Sequence, residues 1–147
     1  MTTIAFRDGV MAADTSVMAG YSQFDSGVPK IAKMADGRLA GAAGSAGFSG
    51  AWIRWCLTGA LDDDRPVPQK DDTGTDRGII VNLDRSISVF ESEGWFVIRP
   101  RYYAMGSGKD HAFGTMFAGA DAETAVRAAI EHDASSRYGV TVLRLGA

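Results

Sequence analysis

The residues best suited to chemistry stand at the start of the chain, in "MTTIAFRDGVMAADT". If Met1 is removed, Thr2 becomes the first residue and carries a nucleophilic hydroxyl and a free α-amine on one framework. An N-terminal threonine can pass its hydroxyl proton to its own amine, a known route to an activated nucleophile. The reference pKa of that amine, about 7.7–8.0, lies near working pH, and a neighbouring cation lowers it further by disfavouring a second positive charge. A carboxylate alone is too weak a base for this task. The segment "VPKIAK" offers two cations, Lys30 and Lys33, on opposite faces of an extended stretch. Outside such a constellation each residue has an ordinary explanation. A threonine belongs in a strand, Asp14 caps a strand end, and a strand lysine is solvated.

Two turn geometries compete for the first hairpin. A two-residue Asp8-Gly9 loop sets Thr3 opposite Asp14. A three-residue Arg7-Asp8-Gly9 loop, with Gly9 left-handed in a bulge, pairs Phe6 with Val10 and sets Thr2 opposite Asp14. Directly opposed residues share a face, so only the second brings the Asp14 carboxylate beside Thr2. Glycine at the third loop position favours the second register.

The elements that must hold these residues read as follows. Strands are expected over Thr2 to Phe6, Val10 to Asp14, Val28 to Met34 and Arg38 to Ala42. Phe48, Trp52, Trp55, Cys56 and Gly59 recur at helical spacing, predicting an amphipathic helix from Gly47 to Leu61. The polar run Asp62 to Arg77, with Pro66 and Pro68, reads as a solvated loop. "GIIVNLD" and "SISVFES" form a strand pair turning at Asp84-Arg85, and the apolar "GWFVIRP" leads to "YYAMGSG". A short helix starts near Lys109, and a longer one runs from an Asp121 cap to about Ser136. "GVTVLRL" closes the chain as a strand. Hairpin-linked strands with helices gathered in two places predict antiparallel sheets with helices on their outer faces. No domain boundary is visible within residues 1–147.

Composition narrows the partners. The 147 residues are 46% hydrophobic and 22% charged, with a formal net charge of −3. This globular, mildly acidic balance argues against a general nucleic-acid or anionic-membrane binder. With a single cysteine, Cys56, no internal disulfide can form, and neither a zinc pattern nor a redox C-x-x-C is present. Cys56 reads as a small core residue. No signal peptide and no membrane-spanning run is evident, so a soluble, cytoplasmic chain is expected. "GAAGSAG" lacks the Gly-Lys-Ser/Thr ending of a phosphate-binding loop. His111 and His132 have no partners placed for a Ser-His-Asp arrangement.

Taken as a set, these segments resemble the N-terminal-nucleophile threonine peptidases, specifically the HslV protease and proteasome β-subunit family. "TTIAFRDGVMAADT" is similar to the family's opening, and "VPKIAKM" to the strand with the catalytic lysine, which selects Lys30. "GAAGSAG" matches the small-residue turn entering the first long helix. "YYAMGSG" matches the turn before the second helix pair, and "EHDASSRYG" a segment with an acid followed three residues later by serine. The chain is shorter than usual members, and "GSGKDHAFG" replaces their small-residue glycine run.

The resemblance implies a four-layer α-β-β-α sandwich of two antiparallel sheets and peptide-bond hydrolysis without metal or organic cofactor. It implies Thr2 as nucleophile with its amine as base, and Lys30, held by Asp14, lowering that amine's pKa. The Gly44 amide would donate into the oxyanion hole, and Ser107, Asp133 and Ser136 would form a polar shell. Ala42 would shape the pocket for the residue before the cut bond. Implied partners are a peptide or unfolded-protein substrate, further copies in a ring or smaller homo-oligomer, and an ATPase unfoldase. With no propeptide before the threonine, activity is expected to need only the loss of Met1. The alternative is a catalytically inactive, oligomerising subunit that keeps Met1. Hydrolysis of small N-acyl compounds is a third possibility within the same superfamily.

Overall fold

A computed structural model describes residues 2–146 except residues 20, 26, 27 and 73, and the side chain of residue 62. Met1, whose removal the expected chemistry requires, lies outside the described residues. The first hairpin pairs β1 (Thr3–Arg7) with β2 (Val10–Asp14). A small hairpin follows, β3 (Ser16–Ala19) with β4 (Ser22–Asp25). Next come β5 (Ile31–Lys33), β6 (Leu39–Ala43) and helix α1 (Ala46–Leu57). The two-residue strands β7 (Lys70–Asp71) and β8 (Gly74–Thr75) precede β9 (Arg77–Val81), β10 (Ile87–Glu91), β11 (Gly94–Ile98) and β12 (Tyr102–Gly106). Helices α2 (Lys109–Phe117) and α3 (Ala122–His132) and strand β13 (Val140–Arg144) complete the chain.

The fold is mixed α+β with antiparallel sheets. One sheet has the order β12-β1-β2-β13 and the other β11-β10-β9-β6-β5. Strand alternation sorts the apolar residues into three clusters. Ile4, Phe6 and Met11 from the first sheet meet Leu39, Ile79 and Val89 from the second. The opposite face of the first sheet, with Ala5, Ala12 and Ala104, packs on Ala112, Ala125 and Val126 of α2 and α3. The opposite face of the second, with Ala40, Ala42 and Ile80, packs on Phe48, Trp52 and Cys56 of α1. Alanines where helices cross the strands let the layers approach closely. Trp52 and Trp55 are buried together against Phe90, so the helix stripe is core. Burial pushes the Cys56 thiol up to about 12, as befits an inert core cysteine.

The first hairpin departs from the expected register. Arg7 pairs with Val10 and Ile4 with Ala13, which makes the loop the two residues Asp8 and Gly9. Both are left-handed, with φ of 51° and 77°, as a type I′ turn requires. Aspartate tolerates that conformation better than most residues, so glycine is not confined to a third loop position. Thr3, not Thr2, therefore lies level with Asp14, and its N–H donates to Asp14 Oδ1 at 2.9 Å.

Several element ends also move, each for a local reason. Helix α1 starts one residue earlier than expected because Ser45 caps it, accepting from the Phe48 N–H at 3.2 Å. It ends at Leu57, where Gly59 and Ala60 turn left-handed. Helix α3 stops at His132 because Asp133 takes an extended ψ of 123°. The expected strand over Val28 to Met34 contracts to Ile31–Lys33.

Candidate active site

Thr2, Lys30, Gly44 and Ser107 line one cleft of about 1090 Å³, together with Ala43 and Asp76. The first hairpin delivers Thr2 from one sheet, and the second sheet delivers Lys30 just before β5 and Gly44 just after β6. The Gly-Ser-Gly turn after β12 supplies Ser107. That turn needs its glycines, because a Cβ on Gly106 would stand 1.9 Å from the Thr2 carbonyl oxygen and one on Gly108 2.0 Å from Thr3 Oγ1. With no side chains in the way, the Gly108 N–H points at the Thr2 carbonyl at 3.4 Å.

Lys30 and Asp14 form a buried ion pair, Nζ to Oδ1 at 2.9 Å, with 7% and 0% of their side chains exposed. Asp14 is satisfied on all sides. Besides Lys30 and the Thr3 N–H, it accepts from Ser16 Oγ at 2.7 Å and the Arg137 N–H at 3.2 Å. Burial pushes the Lys30 ammonium below its ordinary value, against the opposing pull of Asp14 and, further off, Asp133.

A second polar chain adjoins the first, through the segment that carries Ser136 and Arg137. Asp133 Oδ2 accepts from Ser136 Oγ at 2.7 Å and from Ser107 Oγ at 2.9 Å. Ser136 has only one hydroxyl proton, so Thr3 Oγ1 donates to Ser136 Oγ across their 2.6 Å contact. Ser107, Asp133 and Ser136 thus come together as one network, and Thr3 joins it.

Gly44 sits at φ +123°, and a Cβ there would lie 2.2 Å from Asp76 Oδ1 and 2.7 Å from Asp76 Cα. Asp76 is the residue sequence reading missed. Its carboxylate accepts from the Ser45 N–H at 2.8 Å and the Gln69 N–H at 3.1 Å. It therefore ties the far end of the supposedly solvated run Asp62 to Arg77 to the turn entering α1. Part of that run, including Gln69, Thr75 and Arg77, walls the cleft. An aspartate among neighbours such as Asp71 and Asp72 looks like one more solvated charge, and nothing local to the sequence singles it out.

Ala42 does not take the expected position. It is fully buried on the α1 side of the second sheet, and its neighbour Ala43 faces the cleft. Adjacent strand residues point to opposite faces, so a shift of one residue moves a side chain from pocket to core. Lys33 is not among the cleft residues, so of the two lysines on this segment Lys30 is the one at the cleft. His111 and His132 lie near each other, with ring centres 5.8 Å apart, away from the cleft. Among the described residues no cluster of three His, Cys, Asp or Glu side chains could hold a metal ion. No described helix is long and apolar enough to cross a membrane.

Losing the Asp76 carboxylate should loosen the turn without emptying the core. Asp76→Ala is expected to leave the fold intact and to lower any hydrolysis that depends on the Gly44 amide by ~10²-fold, the cost of misplacing a positioned group by about 1 Å. Unchanged kcat/KM on a peptide substrate would contradict this. Gly44→Ala meets both the left-handed φ and the Asp76 backbone, and should cost about 2–3 kcal/mol of stability in a urea melt.

No protein-family model matches the chain, and no curated protein matches it. Solved structures do. The fold is similar to Thiobacillus denitrificans BPH in complex with epoxomicin, at 24% identity over 99% of each chain with a TM-score of 0.67. It is also similar to Thiobacillus denitrificans BPH alone, at 22% identity over 99% of this chain and 98% of that one, with a TM-score of 0.63. At these identities the likeness is one of fold, and it extends over the whole chain.

Proposed function

We propose that this chain is a threonine peptidase of the N-terminal-nucleophile class, on a four-layer α-β-β-α sandwich, and that its activity requires removal of Met1. The observation that carries the proposal is the convergence of Thr2, Lys30, Gly44 and Ser107 on one cleft, with Lys30 held by a buried Asp14. That a protein of this fold is found in complex with epoxomicin supports a ligand-taking site, and we expect epoxomicin to enter the Thr2 cleft.

In this reading Thr2 Oγ attacks the scissile carbonyl carbon and its proton passes to the Thr2 α-amine. The Lys30 charge holds that amine neutral at working pH. The carbonyl oxygen becomes an oxyanion facing the turn before α1, where the Gly44 N–H donates. The amine then protonates the leaving nitrogen, and the C–N bond breaks to give an ester on Thr2. A water, deprotonated by the same amine, cleaves the ester and restores the hydroxyl. Asp133, Ser107 and Ser136 hold the strand ends that carry the reacting atoms.

The pH dependence follows from the direction of the Lys30 shift. Burial lowers its pKa from the ordinary 10.5, so the charge is present below the lowered value and lost as pH rises through it. Once Lys30 is neutral, the cleft loses the charge that supports the proton relay at Thr2, while the amine itself stays unprotonated at that pH. The alkaline limb of kcat/KM should therefore lie below 10.5, and a profile flat through that region would contradict the role given to Lys30. The folded state binds fewer protons than the unfolded chain between the two values, so this group's contribution to stability rises with pH there. A fall in activity in that window is thus not attributable to Lys30-linked unfolding.

The proposal is tested by purifying the protein from its native host, measuring its intact mass, and assaying short fluorogenic peptides. Loss of Met1 together with hydrolysis supports it, and uniform retention of Met1 refutes it.

A further inference from the structure

Strand β11 is unlike the other long strands of its sheet. It ends the order β11-β10-β9-β6-β5, and no strand among the described residues lies on its outer side. Three consecutive large apolar residues there are exposed: Trp95 at 59%, Phe96 at 47% and Val97 at 47%. Alternation puts Trp95 and Val97 on the α1 side of the sheet and Phe96 on the inter-sheet side, so both faces of this edge are bare. A long, apolar, unpaired edge is a template for another strand unless charge or proline blocks it. No charged residue falls within "GWFVI" itself.

We propose that β11 pairs antiparallel with β11 of a second copy of this chain, about a two-fold axis at Phe96. The flanking charges suit this occupant. In an antiparallel pair centred on Phe96, Trp95 faces Val97 of the second copy, and Glu93, in the turn just before the strand, comes to the end where the second copy's Arg99 leaves it, twice per dimer. Glu93 and Arg99 are both exposed. Arg99 already meets Asp84 Oδ2 at 3.1 Å, which holds the guanidinium beside the edge and leaves donors over for a second carboxylate.

Backbone parity agrees with the same centre. The β10–β11 hairpin closes on Glu91 and Gly94 around a two-residue turn, so that pair exchanges both hydrogen bonds. Gly94, Phe96 and Ile98 thus direct their N–H and C=O groups toward β10, while Trp95 and Val97 direct theirs outward. A two-fold at Phe96 matches Trp95 with Val97 of the second copy, the residues whose groups point out. An axis placed between two residues would instead set inward-pointing groups opposite outward-pointing ones, and among the centres on a residue the flanking charges favour Phe96. The inference is independent of the chemistry assigned to Thr2.

The test is site-directed disulfide trapping, on a background where the single native cysteine is buried. Across the axis Phe96 opposes itself in a non-hydrogen-bonded pair, whose Cα spacing of about 4.5 Å lies within disulfide reach. Phe96→Cys should therefore give a covalent dimer on mild oxidation. Trp95→Cys and Val97→Cys, each alone, should not, although an equal mixture of the two should. Adding Val97→Pro to Phe96→Cys removes an outward N–H and should abolish the cross-link with the monomer's circular dichroism unchanged. Arg99→Glu should raise the dimer dissociation constant roughly tenfold, and Glu93→Arg in the same chain should restore it. Absence of the Phe96→Cys dimer would overturn the proposal. So would equal cross-linking at positions 95, 96 and 97, which is what random collision or another register produces.

Discussion

Thr2→Ala should abolish peptide hydrolysis, with kcat/KM falling by at least ~10⁴-fold, the scale seen when a covalent nucleophile is removed from a working site. Ser107 and Ser136 are committed to Asp133, and Cys56 is buried in the α1 layer with its thiol pushed up to about 12. Thr2→Ser keeps both hydroxyl and amine and should retain hydrolysis. The alanine variant should fold as the parent does, because it is the Thr2 carbonyl oxygen that accepts from Ser107 Oγ and the Gly108 N–H, and alanine keeps that carbonyl. Undiminished hydrolysis in a correctly folded Thr2→Ala protein would refute the nucleophile assignment, whatever the fold.

Asp14→Ala should be the most destabilising change at the site. The carboxylate is fully buried, and its partners are all donors: Lys30 Nζ, the Thr3 N–H, Ser16 Oγ and the Arg137 N–H. Removing it takes the counter-charge from the buried Lys30 ammonium and orphans the other donors. Breaking a buried pair from one side costs about 3–5 kcal/mol. For a chain of this length that corresponds to a fall in Tm on the order of 10 °C. Asp14→Asn should do little better, since the amide nitrogen meets donors on whichever side it is placed. Replacing both partners, as in Asp14→Leu with Lys30→Met, should recover part of the stability while leaving hydrolysis lost. A single variant melting within 2 °C of the parent, by a fluorescence or calorimetric scan, would contradict the buried pair.

The residues that converge were legible in the sequence, though not always for the reason first given. Lys30 is separated from Lys33 only by the family resemblance, and Gly44 is marked by its place in a small-residue turn before a helix. Asp14 reaches the site by a different route from the one its hairpin suggested. With the Asp8-Gly9 turn closing in two residues, it holds Lys30 and the Thr3 amide, and Thr2 lies one residue beyond its level. A choice between turn types differing by one residue is decided by backbone energies too small to read from residue identity. The same one-residue sensitivity put Ala42 in the core and Ala43 at the cleft. Asp76 could not be found locally at all, because its two acceptor contacts, to Ser45 and Gln69, exist only once the polar run folds back on α1. Long-range satisfaction of buried backbone groups leaves no periodic trace.

The central claim is that the Thr2 hydroxyl is activated by the Thr2 α-amine, and one comparison tests it most directly. Two preparations of the same chain are made by cleaving an N-terminal tag, one beginning at Thr2 and the other at Met1, each verified by intact mass. The peptide nitrogen of Met1–Thr2 cannot accept a proton at neutral pH, so only the first preparation has a base. It should hydrolyse a fluorogenic peptide with an acid limb in kcat/KM below about 7.7, the reference pKa of a free α-amine. The Met1-bearing preparation should be inert under the same conditions. Equal hydrolysis by the two would contradict the account.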